Sequence, residues 1–201
     1  PSDKDRMYRV LGRIRRFQRE HGSRQVQGRW AYAKRLNTEL GKKIAREIVF
    51  YASENRADVI VFEYLEMKGK LSGKKKQKLQ MWRKRDIQKR CGQQAHRKGI
   101  RISRICAWNT SRLAFDGSGK IDRDIQDHRL CTFQNGKRYN CDLSASYNIG
   151  ARYFIREILK PLPATERSLL EAKVPAVKRR TSCVYADLRD LISEMELRKA
   201  A

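Results

Sequence analysis

The chain is poor in acidic residues and has no long apolar run. Its 22 Asp and Glu residues face 47 Lys and Arg residues, which gives a formal net charge of +25. No apolar run approaches the roughly 20 residues that span a bilayer, and no secretory signal is present, so a membrane protein is not expected. Because such a charge repels itself unless a polyanion neutralises it, the composition favours a nucleic-acid-binding protein over a soluble basic protein without such a partner.

Cysteines and histidines are few and are not grouped. The chain has five cysteines, an odd number, and no Cys-x-x-Cys pair. A disulfide framework is therefore not indicated, and a reduced intracellular chain with mostly buried thiols is expected. The three histidines lie far apart, so none has an identifiable partner for acid–base chemistry. The first residue is Pro1 rather than Met, which favours a fragment or a processed product.

Helical periodicity alternates with short strand-like runs along the chain. The predicted helices cover residues 7–21, 28–55, 79–98 and 142–160. The predicted strands cover residues 59–62 and 100–105. The turn signals and the hairpin pattern around Asn135-Gly136 predict an inserted β-rich module at residues 106–140. The fold class indicated by this order is α/β.

Two of the helices carry apolar stripes that predict their buried faces. The stripe of the second helix consists of Leu36, Leu40, Ile44, Ile48 and Tyr51. The stripe of the last helix consists of Leu143, Tyr147, Ala151, Phe154 and Ile158. Beyond Pro163 the helical patterns become short, and a tail rather than a second domain is expected.

Two carboxylates stand at the ends of predicted elements. Glu63 follows an apolar run that predicts a strand covered on both faces, and it lies at the carboxyl end, where ligands gather in α/β sheets. Asp142 stands just ahead of a predicted helix. One or two carboxylates are what Mg²⁺ takes from a protein while keeping positions for water and phosphate, so a metal site is one interpretation. The alternatives are an ion pair for Glu63 and a helix N-cap for Asp142.

The sequences around both carboxylates resemble known nuclease motifs. Val-Ile-Val-Phe-Glu63-Tyr-Leu-Glu-Met-Lys-Gly resembles the second RuvC motif of transposon-encoded TnpB-like nucleases and the related type V CRISPR effectors. Asp142-Leu-Ser-Ala-Ser-Tyr-Asn148-Ile149 is similar to their third motif, and a Thr110-Ser111 loop lies between the two. The resemblance covers residues 7–160. It implies an RNase H-like (RuvC) mixed sheet flanked by helices, in a nuclease that uses guide RNA to cut target DNA.

In this resemblance Glu63 and Asp142 are the catalytic residues and the ligands of Mg²⁺ or Mn²⁺. The Asp of the first RuvC motif has no match, because Asp3 and Asp5 lie in a polar leader without a strand. We therefore expect the N-terminal strands of the sheet to be missing from this chain. The nucleases that this chain resembles carry a four-cysteine zinc ribbon between the two motifs. That ribbon is incomplete here, since Ala114, Gly117 and Gln134 stand at ligand positions and only Cys131 remains.

Zinc is accordingly not expected, and the module is a degenerate zinc ribbon. An irregular ligand set is the residual possibility, made of Cys106, His128, Cys131 and Cys141. The resulting domain prediction has RuvC-like elements at 1–105, the hairpin insert at 106–140, the third-motif helix at 141–160 and a basic tail at 161–201.

The cationic loop and helix after Glu63 predict contacts with the phosphates of a guide–target duplex, which such proteins recognise by shape. The predicted nucleic-acid-binding residues are Lys74, Lys75, Lys76, Lys78, Arg83, Lys84, Arg85, Arg90 and Arg138. The expected function is that of the C-terminal part of an RNA-guided, metal-dependent DNA endonuclease. Two alternatives stay open: a nuclease-inactive nucleic-acid-binding protein, and a DNA-joining transposase of the related fold.

Overall fold

The computed structural model describes residues 3–22, 26–64, 84–179 and 181–200. These residues form an α/β protein that is mostly helical and has two small sheets. The helices are α1 (Asp3–His21), α2 (Gln27–Glu54), α3 (Lys84–His96), α4 (Cys141–Leu159), α5 (Ala164–Lys173) and α6 (Tyr185–Ala200), with a 3-10 helix at Pro175–Arg179. The strands are β1 (Val59–Tyr64), β2 (Arg101–Cys106), β3 (Asp122–Arg123), β4 (Leu130–Thr132) and β5 (Arg138–Asn140).

The described chain divides into two compact units. The first contains residues 3–22, 26–60 and 84–102, and the second contains residues 61–64, 103–179 and 181–200. Both predicted carboxylates, Glu63 and Asp142, belong to the second unit. None of the described helices combines the length and the apolar character that a membrane crossing requires.

In the first unit, α2 buries a stripe of mostly small side chains. The stripe consists of Ala33, Asn37, Gly41, Ala45, Val49 and Ala52. Small residues allow α3 to approach closely, and the thiol of Cys91 on α3 donates to the Ala45 carbonyl at 3.7 Å. The predicted stripe was wrong by one position. Its larger side chains lie beside the contact between α2 and α3 rather than in it, and Ile44 is 42% exposed and Tyr51 is 71% exposed.

The strands β1 and β2 form a two-stranded sheet. The amide of Arg101, the first residue of β2, donates to the carbonyl of Asp58 just ahead of β1 at 2.9 Å. Both strands therefore begin at the same end of the sheet. Residues 59–63 are half-buried rather than covered on both faces as predicted, because the sheet contains only these two described strands and is narrow.

The β-rich module of the second unit follows the sequence prediction. Strands β3, β4 and β5 pair antiparallel in that order. Gly136 adopts a φ of +82°, the left-handed conformation that the Asn-Gly turn predicts, and its amide donates to the Phe133 carbonyl at 2.9 Å. A small core formed by Ala114, Cys131, Phe133 and Cys141 closes one side of the module.

Residues 161–201 are not a tail. The helices α5 and α6 and the 3-10 helix pack with α4 around one apolar core. That core contains Ala151, Ile155, Leu159, Leu170, Val174, Val177, Cys183, Leu188 and Leu191. The segment is also barely basic, with eight Lys and Arg residues against six Asp and Glu residues. The other predicted domain boundaries remain predictions.

The buried face of α4 also differs from the predicted stripe. Leu143 and Phe154 are 50% and 53% exposed. The helix instead buries a face that includes the polar side chains of Ser144, Asn148 and Arg152. The prediction assigned these polar residues to the solvent side, and it therefore placed the wrong face of α4 against the core. These buried polar groups build the candidate site.

Candidate functional site

Glu63 lies near the carboxyl end of β1 and is held by a buried hydroxyl. Its Oε1 accepts a hydrogen bond from the Thr110 Oγ1 at 2.8 Å. The Thr110 side chain is 1% exposed, and its hydroxyl also lies 3.1 Å from the Ala107 carbonyl. A carboxylate that accepts from an immobile donor keeps a fixed orientation. The predicted strand end therefore presents an oriented carboxylate.

Asn148 fixes the position of Thr110. This side chain is fully buried, and its Nδ2 donates to the Thr110 carbonyl at 3.0 Å and to the Leu113 carbonyl at 2.8 Å. Its Oδ1 accepts from the amide of Tyr185 at 3.1 Å. Both donors and the acceptor are thus used. One amide side chain ties the loop after β2, α4 and the start of α6 together.

Asp142 lies in the first turn of α4 and is exposed. It is not the N-cap, because Asn140 takes that role: its Oδ1 accepts from the amides of Asp142 and Leu143 at 2.9 and 3.0 Å. The capping alternative for Asp142 is therefore wrong. Within the described part of the chain its carboxylate has no hydrogen bond or ion pair, and it lies in the first turn of the helix.

The two carboxylates are connected through one helix and one hydrogen-bond chain. Asp142 precedes Asn148 by six residues on α4, which corresponds to about 9 Å along the helix axis. Asn148 in turn bonds to Thr110, which bonds to Glu63. Across the described ranges no group of three or more His, Cys, Asp and Glu side chains is close enough to hold a metal ion.

Arg152 is the site residue that the sequence analysis missed. Its guanidinium is 3% exposed. Nε donates to the Cys183 carbonyl at 2.9 Å, and Nη1 donates to the carbonyls of Cys106 and Trp108 at 2.9 and 2.7 Å. Nη2 is buried with no hydrogen-bond partner in the described residues. Arg152 therefore clamps α4 to the end of β2 and to the segment ahead of α6.

Burial lowers the pKa of Arg152, and the neighbouring Cys106, Cys183, Glu63 and Asp187 oppose that shift. The guanidinium stays charged, since arginine does not lose its proton in proteins. Burial raises the pKa of Asp187, and the hydrogen bond that its Oδ2 accepts from the Val184 amide opposes that shift. The second unit thus buries a cation close to Glu63.

A recognisable sequence signal could have identified this face of α4. Asn148, Arg152 and Arg156 follow at four-residue steps, so they share one side of the helix. Arg156 continues the pattern, donating from Nη2 to Ser103 Oγ at 2.6 Å and from Nη1 to the Arg104 carbonyl at 3.0 Å. In α4 this polar row is buried or half-buried because it binds backbone carbonyls.

The predicted nucleic-acid-binding residues are only partly described. Arg85 is exposed at the start of α3 in the first unit. Arg90 pairs with Asp86 at 2.9 Å, and Arg138 on β5 pairs with Asp124 at 3.1 Å. Lys74, Lys75, Lys76, Lys78 and Arg83, and the side chain of Lys84, lie outside the described residues. Among the described members of the set, only Arg138 shares a unit with Glu63 and Asp142.

Of the four degenerate ribbon positions, Ala114 and Cys131 are buried in the small core, whereas Gly117 and Gln134 are exposed. Cys141 is buried in the same core. Burial, followed by the neighbouring Cys141 thiol, raises the pKa of Cys131 to about 12. Of the other two residues in the irregular set, Cys106 and His128 are exposed.

Comparison with known proteins shows a fold but no family. No family model matches the chain, and no curated protein sequence matches it. The structure is similar to the cryo-EM structure of a Cas12f1–sgRNA–target DNA complex, with a TM-score of 0.54 and 19% sequence identity. The match covers 74% of this chain, and the chain spans 42% of that protein. The chain therefore has an α/β fold like that of a type V CRISPR effector.

Proposed function

We propose that this chain is the RuvC-like, RNase H-like C-terminal part of an RNA-guided, metal-dependent DNA endonuclease. The observation that carries the proposal is the hydrogen-bond chain from Glu63 through Thr110 to Asn148, since it joins the two stretches that resemble RuvC motifs. The fold likeness to a Cas12f1 complex with sgRNA and target DNA supports guide RNA and target DNA as partners.

The donor chemistry of the two carboxylates fits Mg²⁺ or Mn²⁺. Both are hard oxygen ligands, and few protein ligands leave positions for water and phosphate. In the proposal Glu63 and Asp142 hold the ion. When bound there, such an ion would supply activation of water and stabilisation of the charge that develops on the phosphodiester oxygens. Because the first RuvC motif has no match here, the proposal needs one further carboxylate from another strand.

The remaining groups act by orienting these carboxylates. The Thr110 hydroxyl sets the rotamer of Glu63, and Asn148 holds the Thr110 backbone. Arg152 fixes the same loop from the other side through the Trp108 carbonyl. Ligand orientation by such partners maintains metal affinity.

Thr110→Val is expected to lower the cleavage rate about 10- to 100-fold, because it removes the donor to Glu63 and keeps the side-chain shape. The assay is nicking of single-stranded or R-loop DNA by the full-length protein with Mg²⁺. Ser111→Ala is the matched control, since it removes a hydroxyl from the neighbouring residue. Equal rates for Thr110→Val and the control would show that the hydrogen bond does not serve catalysis.

A nuclease-inactive nucleic-acid-binding protein is the second candidate. It is favoured by one observation: the described residues contain no cluster of three or more potential metal ligands. Filter binding over a salt series, run beside the cleavage assay, separates the two. Steep salt-dependent binding without cleaved product supports the binding protein.

A further inference from the structure

The solvent side of α1 carries a concentrated positive charge. We call Arg9, Arg13, Arg15, Arg16 and Arg19 the arginine face; all five side chains are exposed. Arg9, Arg13 and Arg16 follow four- and three-residue steps and form one row, and Arg15 and Arg19 form a second row beside it. The opposite side of α1 packs inward, with Met7 and Ile14 buried. The cations therefore point away from the unit that holds the helix.

The arginine face is not neutralised within the protein. In the described residues none of its five members has an ion pair or a hydrogen bond. Cations elsewhere do have carboxylate partners, including Lys42 with Glu39, Arg129 with Asp127 and Arg198 with Glu194. Like charges four residues apart destabilise a helix. An external polyanion would remove that penalty.

Gly12 lies in the row of Arg15 and Arg19, on the side of that row that faces the other arginines. Glycine is a poor residue in a helix interior. Among the described residues nothing requires it, since an added Cβ would meet no atom within 4 Å and Gly12 is exposed. A missing side chain in the middle of a cationic surface leaves room for a phosphate backbone to approach the helix.

An aromatic ring stands at the end of the same surface. Tyr8 is 65% exposed, and it continues the row of Gly12, Arg15 and Arg19 at helical spacing. Unpaired bases stack on exposed aromatic side chains, whereas the bases of a duplex are already stacked on each other. Cations with one exposed ring therefore favour a single strand over a duplex.

We propose that the arginine face, Gly12 and Tyr8 form a binding site for single-stranded nucleic acid. The arginines contact successive phosphates, the strand passes over Gly12, and one base stacks on Tyr8. None of the residues assigned from the sequence to nucleic-acid binding belongs to this site. It does not depend on metal binding or cleavage, so it can fail or succeed independently of the nuclease proposal.

The phosphate contacts are tested by salt-dependent binding of fluorescein-labelled oligo-dT and oligo-U to the full chain. The variant carries Arg9→Gln, Arg13→Gln and Arg16→Gln, because glutamine keeps the helix propensity of arginine. The control carries Lys42→Gln, Arg129→Gln and Arg198→Gln, which remove the same charge from ion-paired positions. The slope of log K against log salt is expected to decrease in magnitude by about 2 in the variant. Equal slopes in variant and control overturn the site.

The stacking of a base on Tyr8 is tested with one variant and one matched control variant. Tyr8→Ala is expected to weaken oligonucleotide binding between about 5-fold and 150-fold. Tyr51→Ala removes a similarly exposed ring, 71% exposed, from α2 and is expected to leave binding unchanged. Tighter binding of oligo-U than of oligo-dT by the wild type identifies RNA as the preferred strand within the proposal. An unlabelled duplex that competes as well as an unlabelled single strand overturns it.

Discussion

Glu63→Gln and Asp142→Asn should each lower DNA cleavage by about 100-fold or more. Each change keeps the size of the side chain and removes the negative charge that a divalent ion requires. Loss of a group that only orients a metal ligand costs 10- to 100-fold, so loss of a ligand charge should cost at least the upper end of that range. The measurement is the initial rate of nicking of R-loop DNA by the full-length protein with Mg²⁺.

Glu194→Gln is the matched control for these two variants. It removes one negative charge from α6, where Glu194 pairs with Arg198 at 3.0 Å. Such a partly exposed pair contributes little, so both folding and cleavage should stay near the wild-type values. If both site variants cleave as fast as this control, Glu63 and Asp142 do not bind the catalytic metal.

Arg152→Met should lower the free energy of unfolding by about 3 kcal/mol, because three carbonyls lose a charged donor. Methionine fills a similar volume and removes the desolvation cost of the buried charge, which offsets part of the loss. The carbonyls of Cys106, Trp108 and Cys183 remain in place without the clamp, so the loss should exceed the gain. Urea denaturation followed by circular dichroism measures the difference.

Arg156→Met is the comparison for that variant. Arg156 lies one turn further along α4, and its side chain is 35% exposed, so water can replace its hydrogen bonds. Its loss should cost about 1 kcal/mol. Equal stability of Arg152→Met and the wild type would mean that the three carbonyl contacts contribute no net stability.

The elements of this fold could be predicted because they depend on local signals. The periodicity of α2 and α4 gave their bounds within about two residues, the ordinary uncertainty at helix ends. The Asn135-Gly136 turn predicted the hairpin, since its conformation is set by the two residues themselves. These features need no knowledge of what packs against them.

The buried faces could not be predicted in the same way. On α2, small residues such as Ala45 lie against α3, and the large apolar side chains that define a hydrophobic stripe remain at the edge. On α4, a polar row is buried because it binds backbone carbonyls. Residues 161–201 were misjudged because their short helices gain stability from the core that they share with α4.

The candidate site was predictable only where sequence motifs could be recognised. Glu63 and Asp142 were chosen because each stands in a stretch that resembles a RuvC motif, and the structure places both in one unit. Thr110 was noted only as part of a loop, and its bond to Glu63 spans 47 residues. Arg152 stands four residues after Asn148 and so shares its helix face, but an arginine is ordinarily assigned to the solvent side because it is rarely buried unless its donors are satisfied.

Mn²⁺ titration followed by electron paramagnetic resonance tests most directly whether Glu63 and Asp142 hold one divalent cation. The full-length protein should bind Mn²⁺, and Glu63→Gln and Asp142→Asn should each weaken that binding by at least about tenfold. The double variant should lose little more than either single variant, since the two side chains would serve the same ion. Unchanged Mn²⁺ affinity in both single variants would contradict a shared metal site.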